Sequence, residues 1–355
     1  MRIALIGDGQ SPHLLKWARA LTATPGVSLW VASSRGFLPA FDGLVPMERR
    51  LALGTQANHA GGNVGVLRSL PLLGRWLREV DADWLNPHYL TSHGTLAWLA
   101  KRFWRLRARI VGSAWGSDIL VTPSQSAAYR LLTRRVLRAC ALCTSDSSHM
   151  TERMQVLGAG EVMTFPFGLE AMPPAPGEKV PWLFFANRGL EPLYQPDRVL
   201  VLFSRVLATH PEARLVVANG GSLRGALEHQ ALALGIAHAV QFVGRLDAAT
   251  QAGWYDRAQW YVSLPASDSV AVSVLEAMAH GCIPLLSDLP ANRELVRDGD
   301  NGRIVTDTLD PVALGRLLPR GAGIAAANRA WVSQHALFPP AVGRLLDRLN
   351  EWPPA

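Results

Sequence analysis

The sequence predicts an α/β protein built from two doubly wound parallel sheets in tandem. The first observation is a repeated alternation of short buried strands with helices of about 10–15 residues, the pattern of a parallel sheet covered by helices. The second is that this alternation stops at a proline-rich stretch, residues 172–181, and then restarts. The third is that glycine and polar residues follow several strands, where doubly wound sheets bind ligands. With 355 residues, the chain is long enough for two such cores.

Composition excludes several classes of protein. A hydrophobic content of 49% with 18% charged residues is typical of a globular chain and not of a disordered one. No apolar run reaches the roughly 18–20 residues that a membrane-spanning helix needs. The first residues lead directly into a strand, so no signal peptide is expected, and three cysteines do not form a secreted disulfide framework. The expected compartment is the cytoplasm.

The positive charge is concentrated in the first half of the chain. Residues 1–175 carry 19 Lys and Arg against 11 Asp and Glu, whereas residues 176–355 carry 16 against 17. The densest clusters are residues 101–109, with interleaved aromatic rings, and four arginines: Arg130, Arg134, Arg135 and Arg138. Such helices suit an anionic membrane surface, and they equally suit a solvated helix face. Nucleic acid binding is the weakest interpretation, because no recognisable module accompanies the charge.

The elements of the first half follow in order. Ser11 before Pro12 predicts a helix start, because serine caps helices and proline is tolerated in the first turn. The predicted strands are residues 1–7, 27–32, 84–87, 109–115, 141–145 and 162–165. The predicted helices are residues 12–21, 64–80, 92–107, 124–138 and 147–157. Cys140-x-x-Cys143 lies at an apolar junction without a second ligand pair, which favours core packing over zinc.

Candidate site residues of the first half follow its strands. The loop Gly7-Asp8-Gly9-Gln10-Ser11-Pro12-His13 lacks the full G-x-G-x-x-G pattern, so a dinucleotide site is not expected. His88 and Asp118 follow later strands. Asp118 either orients a substrate or caps the next helix, and His13 is either a ligand or a capping side chain; the sequence leaves both choices open.

The second half repeats the alternation. Its predicted strands are residues 182–186, 214–218, 240–243, 260–264 and 282–286, and its predicted helices are residues 196–209, 223–234, 248–257, 270–280 and 341–352, with another starting near Pro290. Two carboxylates, Asp268 and Glu276, flank the start of the helix at 270–280. Residues 269–273 between them are small, so backbone N–H groups at the helix start can approach an anion closely. The spacing indicates binding of a phosphate together with sugar hydroxyls.

The segment 263–305 also resembles a known signature. An acid, seven residues, Glu276, then Ala-Met-Ala-x-Gly-x-x-Pro, Ser-Asp and Asn-x-Glu is similar to the donor-site motif of retaining GT-B glycosyltransferases of family GT4. This resemblance implies a GT-B fold, in which two Rossmann-like domains face a central cleft. It implies an acceptor-binding domain at residues 1–168 and a donor-binding domain at residues 169–337. The C-terminal helix, within residues 338–355, would pack back on the first domain.

The resemblance implies roles for residues of the second half. Arg188 would hold the donor diphosphate, Asp268 a hydroxyl of the transferred sugar and Glu276 the ribose. The remaining implied donor-site residues are Tyr194, Gly244, Arg245, Leu246, Ser269, Val270, Ala271 and Val272. Three positions depart from the family pattern: Asp268 replaces a glutamate, Tyr194 a lysine, and Trp115 in the first half a histidine.

On the acceptor side, the resemblance implies Gly7, Gly9, Ser11 and His13, with His88 and Asp118 as further candidates. The implied activity is transfer of a hexose from a nucleotide-sugar donor to a hydroxyl acceptor with retention, without a metal or another cofactor. The implied partners are that donor and a glycan or lipid-linked acceptor of bacterial envelope synthesis. The basic charge of the first half adds a third possible partner, an anionic surface on the inner face of the plasma membrane.

Three other functions compete with this interpretation. A GT-B-like nucleotide-sugar epimerase would release its product without an acceptor. A non-catalytic nucleotide-sugar-binding or scaffold protein would explain the three departures from the family pattern. A glycosidase is disfavoured, because Asp268 and Glu276 lie on one structural unit, whereas glycosidases place their acids across the scissile bond.

Overall fold

A computed structural model of the chain describes residues 1–55, 67–306 and 311–353. The chain divides into two compact units. Unit 1 comprises Met1–Phe165 and Phe338–Ala355, and unit 2 comprises Pro166–Leu337. The predicted boundary after residue 168 and the observed division after Phe165 both fall behind the last strand of the unit 1 sheet.

Within the residues that the structure describes, the sheet of unit 1 has seven strands, all parallel, in the order β3-β2-β1-β4-β5-β6-β7. Parallel strands need crossover connections, which the intervening helices supply. The strands are β1 Arg2–Gly7, β2 Ser28–Ser33, β3 Arg50–Ala52, β4 Trp84–Pro87, β5 Arg109–Ser113, β6 Leu142–Ser145 and β7 Val162–Thr164. The short edge strand β3 was not predicted, because three residues are too few to show a pattern.

The α-helices of unit 1 are Pro12–Thr22, Leu70–Val80, Thr95–Trp104, Ser117–Leu120, Thr122–Gln125, Ala127–Ala139, Ser148–Val156 and Phe338–Asn350. The predicted start of the first helix is confirmed, since the Ser11 side chain accepts a hydrogen bond from the His13 amide at 3.2 Å. Residues 64–66 of the helix predicted at 64–80 lie outside the described residues. The helix predicted from residue 92 begins as a π-helical turn, Tyr89–Gly94, and becomes α-helical at Thr95.

The helix Phe338–Asn350 belongs to unit 1 although it follows unit 2 in the chain. Its apolar stripe is buried, and Phe338 meets the indole of Trp17 edge-on at 5.1 Å. Arg348 adds an ion pair with Glu161, 2.7 Å from Nη2 to Oε2. The core of unit 1 therefore needs residues from both ends of the chain.

In the described part of unit 2, the sheet has six parallel strands in the order β10-β9-β8-β11-β12-β13. The strands are β8 Val180–Ala186, β9 Arg214–Ala218, β10 Val240–Gly244, β11 Ala258–Ser263, β12 Ile283–Ser287 and β13 Arg303–Val305. The α-helices are Pro196–Thr209, Arg224–Ala233, Ala248–Arg257, Val272–Ala279, Pro290–Leu295, Pro311–Leu317 and Gly321–His335. The strand β13 and the last two helices were missing from the prediction.

Two features of unit 2 explain where its central elements end. The helix Val272–Ala279 is followed by Gly281 at φ +79°, a left-handed conformation that glycine adopts without strain. Lys179 then donates to the carbonyl oxygens of Tyr255 and His280, at 2.7 and 2.5 Å, and so satisfies the carboxyl ends of two helices. Lys179 directly precedes β8, so these bonds tie the carboxyl ends of both helices to the amino edge of the sheet, opposite the edge where Arg188 follows β8.

The three cysteines are reduced, and Cys143 and Cys282 are buried. Cys140 packs at the margin of the core around Leu90 and Val136, as the core interpretation predicted. Within the described part of the chain, no three His, Cys, Asp or Glu side chains are placed to hold a metal ion. Nor does any described helix have the length and hydropathy to cross a bilayer.

Candidate active site

Arg188 and Asp268 meet at the carboxyl edge of the unit 2 sheet. Arg188 follows β8 and Asp268 follows β11, and these strands are neighbours although the two residues are 80 positions apart. Arg188 Nη2 lies 2.6 Å from Asp268 Oδ2, and Nη1 donates to Ser273 Oγ at 3.2 Å. The structure therefore brings together an arginine and an acid that the sequence placed on separate loops.

Tyr194 contacts the same guanidinium through its ring. The Arg188 Cζ atom lies 4.5 Å from the ring centroid, the geometry of a cation–π contact. The residue that replaces the family's lysine therefore supplies an aromatic face and no second positive charge. This contact also limits the rotamers of Arg188, whose planar fork suits a phosphate.

The ion pair of Arg188 and Asp268 is largely shielded from water, with side-chain exposures of 18% and 19%. Burial raises the pKa of the Asp268 carboxyl above its ordinary value, although the charge of Arg188 opposes the shift. Arg188 has five N–H donors, so donors beyond these two bonds are available for a ligand. Arg188 is thus a cation whose position is fixed by its own counter-ion.

The helix Val272–Ala279 begins beside this pair. Its N-cap residue, Ala271, makes no side-chain capping bond. The preceding residues Ser269 and Val270 are buried, at 2% and 5% exposure, so the loop is packed and not free to rearrange. A helix start of this kind presents backbone N–H groups and a partial positive charge to an anion.

Glu276, one turn further along this helix, is held by Tyr255. Glu276 Oε2 accepts from the Tyr255 hydroxyl at 3.1 Å and from Gln251 Nε2 at 3.3 Å. Tyr255 is 1% exposed, and burial raises the pKa of its phenol well above the ordinary value. The hydroxyl therefore stays protonated and able to donate to the carboxylate.

A continuous set of hydrogen bonds joins Glu276 to Arg188. Asn187 Nδ2 donates to the Tyr255 hydroxyl at 2.7 Å, and the Tyr261 hydroxyl lies 2.8 Å from both Asn187 Oδ1 and Ser273 Oγ. Since the amide oxygen can only accept, the Tyr261 proton points to Asn187, and the Ser273 hydroxyl donates to Tyr261. Ser273 in turn accepts from Arg188. In each of these hydrogen bonds, the donor is the group nearer to Arg188 in the series and the acceptor is the group nearer to Glu276.

Sequence reasoning missed Asn187, Tyr255, Tyr261 and Ser273. A tyrosine on an apolar helix or strand is typical of a core residue, and both tyrosines are indeed in the core. What distinguishes the two tyrosines is their hydrogen-bond partners: Tyr255 bonds Glu276, 21 positions away, and Tyr261 bonds Asn187, 74 positions away. No local sequence pattern reveals such partners.

The predicted loop Gly244-Arg245-Leu246 follows β10 on the same edge. Gly244 has φ +73°, and its carbonyl oxygen accepts from the Asn219 amide at 2.6 Å. The Arg245 side chain lies next to Gly220, since a Cβ built on Gly220 would be 3.8 Å from Arg245 Nε. The carbonyl oxygen of Gly220 accepts a hydrogen bond from the Leu190 amide. Arg245 is exposed and has no hydrogen bond or ion pair with the described residues. It is a second cation on this edge.

The candidate residues of unit 1 also gather at a carboxyl edge, formed by β1, β4 and β5. Ser11 caps the first helix. Position 9 is occupied by glycine because a Cβ there would lie only 2.6 Å from the Gly36 carbonyl oxygen. Gly7 likewise leaves no room, since its Cβ would meet Leu14 at 2.6 Å. These three positions explain how the loop is built. His13 contacts the Trp115 ring at 4.7 Å.

His88 is 2% exposed and supports Trp115 from behind. The Trp115 indole Nε1 donates to His88 Nδ1 at 3.1 Å, so Nε2 carries the proton and faces Asn86 Oδ1 at 3.3 Å. Burial lowers the pKa of His88 well below its ordinary value, which keeps the ring neutral. Both ring nitrogens are thus occupied within the protein, and the structure gives His88 a positioning role.

Asp118 is 2% exposed and does not cap its own helix in the ordinary way. Its carboxylate accepts from the amides of Leu90 and Trp115, at 2.7 and 2.9 Å, and so joins the loops after β4 and β5. Burial raises its pKa to about 6 in spite of these bonds. The carboxylate therefore binds the backbone at the start of its own helix and also reaches the loop after β4, which is more than a simple cap of the following helix would do.

Comparison with known proteins relates both units to glycosyltransferases. Residues 173–319 match the family model "Glycosyl transferases group 1", and residues 2–147 match "Glycosyl transferase 4-like". A relative named D-inositol 3-phosphate glycosyltransferase 2, from Catenulispora acidiphila, is 28% identical over 63% of this chain. The phosphatidyl-myo-inositol mannosyltransferase of Mycolicibacterium smegmatis is 31% identical over 37% of this chain. The chain matches 58% and 34% of the lengths of these relatives.

Solved structures establish the fold. Anabaena HepE in complex with UDP matches with a TM-score of 0.78 at 14% identity, over 99% of this chain and all of HepE. Sucrose-phosphate synthase from Thermosynechococcus elongatus matches with a TM-score of 0.74 at 15% identity, over 99% of each chain. The two Rossmann-like units with parallel sheets therefore have the fold of GT-B glycosyltransferases, as the sequence predicted.

Proposed function

We propose that this protein is a retaining glycosyltransferase that moves a hexose from a nucleoside diphosphate sugar to a hydroxyl acceptor. The observation that carries the proposal is the continuous set of bonds from Asp268 and Arg188 to Glu276 at the start of the helix Val272–Ala279. It places a cation, an uncapped helix start and a fixed carboxylate within the segment that matches the group 1 glycosyltransferase model.

Each group has a task in the proposed reaction. Arg188 and the helix start stabilise the negative charge that develops on the departing diphosphate, and Arg245 supplies the charge that a lysine at position 194 would carry. Glu276 accepts hydrogen bonds from the ribose, and Asp268 accepts one from the sugar. These cations are the proposed reason that no metal is needed. HepE, a protein of the same fold, is known in complex with UDP-glucose, so UDP is the first nucleotide to try.

The proposed acceptor is a glycan or a lipid-linked glycan of the bacterial envelope, bound by unit 1 near His13. A basic surface of unit 1 supports this. The helices Thr95–Trp104 and Ala127–Ala139 pack together, and exposed arginines lie on them and in the residues just after the first helix. Phe103 and Leu131 on the same helices are 66% and 54% exposed. The arginines are Arg102, Arg105, Arg107, Arg130, Arg134, Arg135 and Arg138, none in an ion pair with a described residue. Such a surface fits an anionic leaflet, whose attraction is worth about 1 kcal/mol per basic residue.

Thermal denaturation with UDP, GDP, ADP, CMP and dTDP, each with and without EDTA, tests the donor site. A ligand at a hundred times its Kd adds about 2.7 kcal/mol of stability. We expect one nucleotide to stabilise the wild type, Glu276→Ala to lose that response, and EDTA to have no effect. Glu212→Ala is the matched control, because Glu212 is an exposed acid of the same unit, 57% accessible.

A transfer assay with the corresponding nucleotide sugar then tests the reaction. Product that forms only with an acceptor and keeps the anomeric configuration in ¹H NMR supports a retaining transferase. Sugar epimerised without an acceptor would indicate an epimerase, and nucleotide binding without turnover on a broad acceptor panel would indicate a non-catalytic binding protein. Absence of any nucleotide response would contradict the donor site itself.

A further inference from the structure

The carboxyl edge of the unit 1 sheet carries a group of aromatic rings that the donor chemistry does not use. His13, Tyr89 and Trp115 come from the loops after β1, β4 and β5, which are neighbouring strands. Trp115 stacks on Tyr89 with a centroid distance of 5.9 Å and an interplanar angle of 20°, and it contacts His13 at 4.7 Å. All three side chains are partly exposed. We name these three residues the ring cluster.

Buried groups fix the ring cluster from behind. Trp17, at 0% exposure, meets His88 edge-on at 5.0 Å, and His88 accepts the Trp115 indole N–H. The carboxylate of Asp118 holds the backbone on both sides of the cluster, through the amides of Leu90 and Trp115. Burying a carboxylate is costly, and here it organises two loops. Partly exposed rings held in this way are preorganised for contact with a ligand.

The backbone under the cluster is strained. Tyr89 has φ +61°, a left-handed conformation that tyrosine rarely adopts, and it starts the π-helical turn Tyr89–Gly94. Residues are kept in such conformations only where the surrounding structure imposes them, which happens often at ligand sites. Here the strain points the chain so that the Tyr89 and Trp115 rings stack.

Two sets of described groups bear on the charge around the cluster. Asp8 in the loop after β1 forms an ion pair with Arg35 through both Nε and Nη2. Burial lowers the pKa of His88 and of His93, so both rings are neutral at physiological pH. The pair of Asp8 and Arg35 is neutral as a whole, and neither histidine adds a charge, so these groups contribute no net positive charge beside the ring cluster, which suits a neutral ligand.

We propose that the ring cluster binds a neutral sugar ring of the acceptor by stacking. One face of a pyranose presents C–H groups, which are attracted to the negative face of an aromatic ring. The inference rests on the proposed function and deepens it, since it assigns the acceptor a neutral carbohydrate unit at this site. This acceptor differs from one that a glycosyltransferase recognises through a phosphate group.

Saturation-transfer NMR tests this site directly. The probes are the methyl glycosides of glucose, galactose, mannose and N-acetylglucosamine, with myo-inositol 1-phosphate for comparison. We expect at least one glycoside to receive saturation at the C–H protons of one ring face. Trp115→Ala should weaken its binding by about tenfold, whereas Trp115→Phe, which keeps a ring, should weaken it by less than about threefold. Tyr89→Ala provides a second variant if Trp115→Ala fails to fold.

The proposal would be overturned if no glycoside binds the wild type with or without UDP, or if binding is unchanged in both alanine variants. Preference for myo-inositol 1-phosphate over every glycoside would overturn it as well. Arg188→Ala is the control for the donor site and should leave glycoside binding unchanged. Failure of the proposed donor site appears separately, as loss of the nucleotide-induced thermal shift while glycoside binding persists.

Discussion

The carboxyl edges of the two sheets have the same architecture and opposite chemistry. In unit 2 the edge carries Arg188, Asp268 and Glu276, joined by hydrogen bonds through buried hydroxyl and amide groups. In unit 1 the edge carries stacked rings, a neutral histidine and a carboxylate used for loop geometry. A doubly wound sheet determines where a ligand binds, and the residues that follow its strands determine which ligand.

The largest expected effect comes from removing the cation of unit 2. Arg188→Ala should lower kcat/KM by about a hundredfold to a thousandfold, because the departing phosphate loses a preorganised donor. The measurement is a transfer assay with a nucleotide sugar. The variant should also lose stability, since Asp268 would remain buried without its partner.

The double variant Arg188→Ala/Asp268→Asn separates these two effects. It should recover stability, because the unpaired carboxylate is gone, and it should remain inactive. Recovery of activity in the double variant would show that Arg188 only neutralises Asp268.

The next effect concerns Asp118 of unit 1, whose titration should make the free energy of unfolding depend on pH. The pKa of Asp118 is raised from 3.8 to about 6, so the folded protein binds its proton more tightly than the unfolded chain does. The contribution of Asp118 to the unfolding free energy is therefore fully present below pH 3.8, the pKa of this carboxyl in the unfolded chain. It is lost as the pH rises through about 6, the pKa in the folded protein. Relative to Asp118→Asn, the unfolding free energy of the wild type should decrease by about 2 kcal/mol between pH 4 and 7. Urea unfolding at several pH values measures it, and parallel curves would contradict it.

A smaller effect is expected when one link is removed from the hydrogen bonds that connect Asp268, through Arg188, to Glu276 in unit 2. Tyr255→Phe removes the hydroxyl between Asn187 and Glu276 and keeps the ring in the core. Binding of the nucleotide should weaken by about tenfold, or about 1.4 kcal/mol, because Glu276 loses one of the hydrogen bonds that orient it. Calorimetric titration measures the change. Tyr129→Phe, on a helix of unit 1, is the control and should bind as the wild type does.

The smallest effect separates the ring of Tyr194 from its hydroxyl. Because the Arg188 guanidinium lies over the ring face, Tyr194→Phe should change kcat/KM by less than about twofold. Tyr194→Leu, which removes the aromatic face, should lower it by about threefold to fivefold. A large loss in Tyr194→Phe would instead assign the hydroxyl a direct part in binding the donor.

The sequence was most informative where local chemistry decides the structure. Pro196–Thr209 and Ala248–Arg257 have the bounds that were predicted, because a proline and an Asp247 cap mark their starts. Helix Gly321–His335 was missed, since its alanine-rich sequence shows little contrast between faces. At the site, local patterns found Arg188, Asp268 and Glu276. They could not find Tyr255 or the structural role of His88, because those depend on which strands become neighbours.

The placement of the helix Phe338–Asn350 in unit 1 has a consequence for biosynthesis. Unit 2 is one continuous segment and can fold as soon as Leu337 has emerged from the ribosome. Unit 1 must wait for Phe338 and the buried residues after it, which cover Trp17. At translation rates of about 5–20 residues per second, the delay between the synthesis of Phe165 and that of Asn350 is roughly 10–40 s. The half of the protein that is synthesised first is completed last, and its apolar surface needs protection in the meantime.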